Sequence, residues 1–339
     1  MSYSTSSLEE VDSEDTRSRI IELFHQNKTP DPENRYDWLY RSKYACENHV
    51  HQVLLHNQTI VGIGSCLSVP ADDFRLASFV NLLVDEQHRT LGPALKLERE
   101  LIERACEKIQ PDMLIVRPNK RAEPLYKRLK FKPLTTSPRH SWISNPLGFI
   151  PVPARLKRLS GTASSAVLKP WLWTQSISSA FRSGVISDPY RWAFHDSATS
   201  ALDRVSSYHR WRYVDMPNQN FRAASCDNSQ GDKAPVIIFD ISPHGVLSIS
   251  DFLNITGHTF EHALVSFMTQ AMTLFKPRNF TTSITSPKQL EHVLRNLGFV
   301  RRVDGTETTT FVSSCRLRKN EHQKNSLSER LVLPARLDF

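Results

Sequence analysis

One order of elements occurs twice along this chain, and that repetition limits the possible folds more than any single motif. His49–His56, Thr59–Val69 and Phe74–Asp85 read as strands, the first two joined by a turn at Asn57-Gln58. The third ends on an apolar run, Phe79, Val80, Leu82, Leu83 and Val84. A helix follows over Pro93–Ile109, with Leu95, Leu97, Leu101, Ile102 and Ala105 on one side. Then come a short buried strand, Asp112–Arg117, an amphipathic helix, Arg121–Lys130, and extended chain from Phe131. Further on, Val236–Asp240 and Gly245–Ser250 read as strands, Thr259–Phe275 as a long helix, and Phe280–Ile284 as a strand. Pro287–Leu297 is a last helix, closed by Gly298, before a strand opening at Phe299. Trp38-Leu39-Tyr40 and Trp211-Arg212-Tyr213 mark equivalent places upstream of the two series. The pattern is that of a doubled α/β (α+β) fold of two mixed-sheet units.

Upstream of the first series, Thr16–Gln26 has Ile20, Ile21 and Phe24 at helical spacing, and Asn34 is placed to cap a helix over Arg35–Tyr44. Residues 1–15 are Ser- and acid-rich and read as a disordered tail without the apolar core of a signal peptide. Residues 319–339 are polar and read as a flexible tail. With 339 residues the chain has room for two domains. No apolar run approaches the roughly 18–20 residues that a membrane-spanning helix needs. The five cysteines, Cys46, Cys66, Cys106, Cys226 and Cys315, are scattered, odd in number and without a C-x-x-C pair. That spacing argues against a zinc cage or a disulfide framework, and for a reducing, cytoplasmic setting. The net charge of +8 suits an anionic ligand and is too small to indicate DNA.

The most specific local feature is Val84-Asp85-Glu86-Gln87-His88-Arg89-Thr90-Leu91-Gly92-Pro93-Ala94. An apolar strand runs into Arg-x-x-Gly-x-Ala, and a helix begins inside the motif. Such a turn aims backbone N–H groups at one point on the positive end of a helix dipole, a geometry that binds pyrophosphate. Gly92 allows close approach of backbone and phosphate, and Arg89 offers a forked cationic donor. Downstream lies Asn119-x-x-Ala122-x-x-Leu125-Tyr126, ending in Phe131. Taken alone, Asn119 fits a helix cap and Tyr126 a half-buried aromatic.

Together these motifs resemble the GNAT superfamily of N-acetyltransferases, over residues 16–145 by motif order. The resemblance implies a tandem GNAT-fold protein: an N-terminal domain at 16–147 with an acyl-coenzyme A site, a connector at 148–207, and a degenerate copy at 208–318. It implies acetyl-CoA or another acyl-CoA as acyl donor, held by Leu83, Val84, Arg89, Thr90, Leu91, Gly92, Pro93 and Ala94, with Asn119 and Tyr126 at the pantetheine and thiol. The donor would wedge between the strand ending at Val84 and the strand ending at Val116. A neutral amine would attack directly, and Tyr126 would protonate the leaving thiolate. The implied acceptor is a small-molecule amine, such as an amino sugar or another envelope precursor. Two departures from the family pattern stand out. Pro93 removes one N–H from the turn, and Lys130 stands where the family has Gly. No general base is evident: Phe79–Val84 carries only Asn81, and Asp85 and Glu86 lie beside the turn.

The second copy reads Ser-Ile-Ser-Asp-Phe-Leu-Asn-Ile-Thr-Gly-His over 248–258, with no Arg-x-x-Gly, and is expected to wall the acceptor cleft rather than bind coenzyme A. Trp38, Tyr40, Trp211 and Tyr213 are candidates to line that cleft or to fill core. His258-Thr259-Phe260-Glu261-His262 matches H-x-x-E-H, but it has no downstream acidic ligand, so no metal is expected. Gly62 and Gly64 lie in a strand and do not form a dinucleotide loop, since no helix follows. The connector carries seven basic residues against three acidic ones, and an apolar helix around Ala163–Phe181. It reads as a solvated linker, as a membrane-surface helix through Trp171, Leu172 and Trp173 near Lys169 and Arg158, or as a surface for a phosphorylated acceptor. Two other functions fit a doubled fold: a Fem-type aminoacyltransferase using aminoacyl-tRNA, which the Arg89–Ala94 turn argues against, and a non-catalytic binding protein.

Overall fold

The computed structural model describes residues 2–71, 74–137, 139–143, 190–202, 206–226, 234–255, 257–283, 288–297, 299–302 and 308–313. They form two mixed seven-stranded sheets.

The first sheet is built from β1 (Tyr3–Ser7), β2 (His49–His56), β3 (Thr59–Ala71), β4 (Phe74–Val84), β5 (Met113–Val116) and β6 (Lys132–Ser137). On one face lie α1 (Glu14–Gln26), α2 (Pro32–Tyr36), a π turn over Asp37–Arg41, and α3 (Lys43–Asn48). Ile20, Phe24, Tyr36, Leu39 and Tyr40 pack there on Val53, Ile63, Leu67 and Ile115. On the other face lie α4 (Leu91–Lys108) and α5 (Glu123–Arg128), whose Leu101, Ala105, Leu125 and Tyr126 pack on Cys66, Ala77, Phe79 and Val116. The strands alternate between the two cores, as a sheet covered on both faces requires.

The second sheet repeats this plan. Its elements are β7 (Arg139–Ile143), β8 (Trp192–His195), α6 (Thr199–Leu202), α7 (Ser207–Tyr213), β9 (Arg222–Cys226), β10 (Val236–Ile241), β11 (Val246–Leu253), α8 (Gly257–Phe275), β12 (Asn279–Ser283), α9 (Lys288–Asn296) and β13 (Val300–Arg301). Each sheet holds one parallel pair at the equivalent place, β4 with β5 and β11 with β12. The two units also exchange strands. β7 crosses into the second sheet between β13 and β12, and β14 (Thr308–Ser313) crosses into the first between β5 and β6. The sheets therefore do not follow the expected boundaries at 147 and 208.

A second reciprocal contact joins the units. The Trp38 and Trp211 rings stack at 4.5 Å, and each indole N–H donates to the other's backbone carbonyl, at 2.9 and 3.1 Å. These two residues are buried clasp rather than cleft lining, as two adjacent indoles need both apolar cover and an acceptor for each N–H.

Three expectations are corrected. The segment expected at 1–15 as a disordered tail holds a strand within its described residues: β1 pairs antiparallel with β2 from Tyr3↔His56 to Ser7↔Gln52. Tyr3 packs on His56 and shares a hydrogen bond with His88, while Leu8 is buried. Glu9 and Glu10 reach Lys108 and Arg104 on α4. The helix expected over Arg35–Tyr44 is broken by the π turn, and Ser42 caps α3 by accepting from the Ala45 amide; Asn34 instead donates to the Asp31 carboxylate. The end of the expected connector is not linker, because β8 pairs with β9 and α6 follows it.

The remainder of the connector, with Arg155, Lys157, Arg158, Lys169, Trp171, Leu172 and Trp173, lies outside the described residues, as do Gly298, the side chain of His258 and the tail at 319–339. Cys46 and Cys66 are free thiols, whereas Cys106 on α4 is disulfide-bonded, which the cysteine spacing does not suggest. Among the described residues no helix is long and apolar enough to cross a membrane.

Candidate active site

The parallel pairing of β4 with β5 runs from Leu76↔Met113 to Phe79↔Val116 and then stops. From Val80 to Val84, β4 continues past the end of β5 with no strand partner on that side among the described residues, which leaves an open edge that we read as a cleft. The cause is local. The register with β3 slips between Ile63 and Ser65, a bulge in which Asn81 takes a left-handed backbone with φ 51°. A bulge bends its strand and re-aims its edge, and Asn is among the residues that tolerate this conformation best.

β4 delivers the chain to the expected phosphate turn. A short 3-10 turn, Glu86–His88, leads to Thr90 as N-cap of α4, and no side chain caps the helix. A helix leaves its first four amides without intrahelical acceptors. Here the Thr90 amide donates to the His88 carbonyl at 2.7 Å, and Pro93, which is buried, has no N–H. That leaves the Leu91 and Gly92 amides for a ligand. Gly92 is exposed, and a Cβ built on it would meet nothing within 4 Å. Internal packing does not explain a glycine there, while close approach of a ligand from outside does. Ala94 is half-buried on the next step of the helix.

Arg89 is placed differently from the expectation of a donor aimed at phosphate. Its Nε donates to the Val84 carbonyl at 2.8 Å, and Nη2 donates to Asn27 Oδ1 at 3.0 Å, so the side chain braces the turn against α1. Asp85 is likewise occupied: it accepts from Arg19 at 2.6 Å and from the Gln87 amide at 3.0 Å. Burial alone would raise its carboxyl, but these donors outweigh it and hold Asp85 below the usual carboxylate range. It is a structural acid, unsuited to act as the missing base. Val84 is buried and Leu83 half-buried, as the floor of the cleft. An open depression of about 720 Å³ is lined by α1, the β2–β3 hairpin and the Asp85–His88 stretch that leads into the turn.

Asn119 and Tyr126 have different surroundings. Asn119 is exposed, and its Oδ1 accepts from the Arg121 and Ala122 amides at 3.0 and 2.9 Å, so it fixes the entry to α5. Tyr126 is buried, and its hydroxyl is hydrogen-bonded to the carboxyl of Glu98 on α4. Burial pushes the Glu98 carboxyl up to about 8, so at neutral pH it holds a proton. Burial first, and Glu98 second, push the Tyr126 phenol well above its ordinary range. Gly64 makes room for this pair: a Cβ there would lie 3.3 Å from Glu98 Oε1 and 3.2 Å from Leu101. The sequence carries the signal for Glu98, a carboxylate on the apolar stripe of α4 with Leu101, Ile102 and Ala105. Among the described residues, no group of three His, Cys, Asp or Glu side chains is arranged to hold a metal.

The sequence profile of the Acetyltransferase (GNAT) family matches residues 16–131. This region is a GNAT-family domain. The match covers α1 through α5, the elements that carry the cleft, the turn and the Tyr126–Glu98 pair. Solved structures with the same fold span more of the chain. A GCN5-related N-acetyltransferase from Anabaena variabilis is 10% identical, with a TM-score of 0.59, over 92% of this chain and 72% of its own. A conserved protein of unknown function from Enterococcus faecalis is also 10% identical with a TM-score of 0.59, over 93% and 72%. A GCN5-related N-acetyltransferase from Kribbella flavida is 11% identical with a TM-score of 0.55, over 92% and 71%. At such identities the likeness is one of fold alone, and it extends over both sheets. No curated protein matches it by sequence.

Proposed function

We propose that the chain transfers an acyl group, acetyl in the simplest case, from an acyl-coenzyme A to the amine of a small acceptor. The observation that carries this reading is the open edge of β4 beyond Phe79 and the end of β5 at Val116, with the open Gly92 turn at the end of the cleft. The Leu91 and Gly92 amides, at the positive end of an 18-residue helix, would bind the pyrophosphate. The unpartnered edge of β4 over Val80–Val84 would hold the pantetheine arm and polarise the thioester carbonyl.

The donor supplies an activated acyl group. The chain's own residues hold it beside the amine, which converts an encounter into a near-intramolecular reaction. The amine lone pair forms the C–N bond, the C–S bond breaks, and the thiolate takes a proton. Tyr126 would supply that proton, and protonated Glu98 would replace it along their hydrogen bond. The proton lost by the amine leaves to solvent. Amino sugars and other envelope precursors are the acceptors that the family resemblance implies; the cytoplasmic setting rests on the cysteine spacing instead, and the disulfide at Cys106 weighs against it.

The test is thiol release from acetyl-CoA with a panel of primary amines, using wild type and Tyr126→Phe. Turnover by wild type is expected, with a loss of about 10²-fold or more in kcat for the variant. Unchanged kcat in Tyr126→Phe would remove the acid role.

A further inference from the structure

The opposite face of the first sheet, beneath the Trp38–Trp211 clasp, holds a group of buried polar side chains that the acyl-transfer chemistry does not use. Tyr40 packs edge-on to His51 at 4.7 Å, His51 lies 6.0 Å from His49, and His49 packs against Trp211 at 4.7 Å and Tyr44 at 5.4 Å. Tyr44 in turn meets Tyr208 at 6.2 Å. Exposure is 8% for Arg35, 5% for Tyr40, 1% for His49 and 2% for Tyr208, values that put all four behind the surface. Nevertheless, Arg35 Nε, both His49 ring nitrogens, His51 Nε2, Asn81 Nδ2 and the hydroxyls of Tyr40 and Tyr208 have no hydrogen-bond partner of ordinary geometry. Leaving one such group unpaired costs on the order of 1–3 kcal/mol, and a charged one more. So many together mark a polar place that water or a bound polar molecule would satisfy.

The group has a direction and a sign. It begins at Asn81, the bulge residue of the cleft, whose amide faces the Tyr40 hydroxyl, as does Ser65, without closing a well-formed hydrogen bond. Its unsatisfied atoms include a guanidinium N–H, an amide, two phenols and the N–H of neutral His49, all donors, while His51, whose Nδ1 pairs with Ser65 Oγ, offers Nε2 as donor or acceptor according to its tautomer. Burial keeps both imidazoles neutral, with His51 pushed down to about 3. The guanidinium of Arg35 has no carboxylate or hydrogen-bond partner among the described residues, and it feels the like charge of Arg212. Arg212 and Arg117 both act on Tyr208, and Arg117 follows the last residue of β5 at the lip of the cleft. Among the described residues Asp251 acts on Tyr208, and it accepts from the Tyr213 hydroxyl at 2.6 Å and the Phe252 amide at 2.8 Å. An unpaired buried cation is costly, whereas one that meets an incoming anion is satisfied.

We infer that this buried polar cluster walls a chamber that opens to receive the acceptor, and that the acceptor is an amine that also carries an anionic group, a carboxylate or a phosphate, received by Arg35, Tyr40 and Tyr208. Its role as acceptor site rests on the acyl-transfer reading, but binding of the anion does not. The test uses pairs that share the amine and differ by the anionic group: β-alanine against its amide, and O-phosphoethanolamine against ethanolamine. Binding is read from the imidazole NMR signals of His49 and His51 in the full chain. The charged member of at least one pair is expected to bind about tenfold or more tighter than its neutral partner, and the pair that shows it identifies carboxylate or phosphate as the recognised group. Arg35→Gln should erase the preference and Arg35→Lys should restore part of it. Tyr208→Phe, which removes one hydroxyl only, should weaken binding if the arginine variants fail to fold. Equal binding within both pairs, or no perturbation of the two histidines by any member, would overturn the inference. Calorimetry with acetyl-CoA on the same samples separates the two ideas. Donor binding without anion preference sinks the chamber, and anion preference without donor binding sinks acyl transfer.

Discussion

Replacing Glu98 with glutamine removes a titrating proton while keeping the shape and one hydrogen bond to Tyr126. In the folded protein Glu98 binds its proton up to about pH 8, because burial penalises the carboxylate, whereas the ordinary value is 4.5. Between those values the native state holds a proton that the unfolded chain has released. Stability contributed by this group is therefore complete below pH 4.5 and is lost as pH rises through about 8. The slope is about 1.4 kcal/mol per pH unit, for an upper limit of about 5 kcal/mol over the whole window. A glutamine side chain cannot titrate, so Glu98→Gln should gain on wild type by about that slope from pH 5 to pH 8 and level off above. Urea unfolding of both proteins at four pH values reads the difference, and carboxyl ¹³C shifts of labelled glutamate give the native titration directly. Parallel stability curves, or a Glu98 carboxyl that titrates near pH 4.5, would refute the claim that this group is buried neutral behind Tyr126.

Three other substitutions test the geometry. Trp211→Ala should cost about 3–5 kcal/mol in urea unfolding, because it removes a buried ring from the clasp between the units; a loss below about 1 kcal/mol would show that the clasp is dispensable. Asn119→Ala should cost about 1 kcal/mol and Asn119→Asp almost nothing, since either Asn or Asp can accept from the Arg121 and Ala122 amides; equal losses would contradict the capping role. Gly92→Ala should leave stability unchanged or raise it by up to about 1 kcal/mol, while weakening acetyl-CoA binding, because the space beyond Gly92 is free of protein.

Much of the first unit was legible in the sequence because its elements announce themselves locally. Pro93 and the Leu97, Leu101, Ala105 stripe mark α4, and the apolar run at 79–84 marks β4. The strand exchange was not legible. β7 and β14 carry patterns that show which residues face a core, but nothing in a strand's own pattern says which sheet will pair with it. β1 was missed because its Tyr-Ser-Thr-Ser-Ser sequence has one large apolar group. Its pairing rests on backbone hydrogen bonds and on Tyr3 meeting His56 and His88. At the site, motif spacing located the turn and Tyr126 but not the side-chain directions. Arg89 folds back onto the Val84 carbonyl and Asn27, and Asn119 serves the Arg121 and Ala122 amides. Glu98 and the Arg35 chamber came from burial. Burial depends on contacts made across the sheet and between the two units.

The central claim is that the turn at Leu91 and Gly92, at the open end of the β4–β5 cleft, binds the acyl donor. Titration calorimetry of acetyl-CoA into wild type and Gly92→Glu tests it most directly. Gly92→Glu places a side chain and a negative charge where the phosphates would lie, at an exposed position whose added Cβ meets no protein atom. Saturable binding by wild type and none by Gly92→Glu is the expected result, with the variant folded as judged by circular dichroism. Absence of binding to wild type, or equal affinity in the two proteins, would contradict the claim.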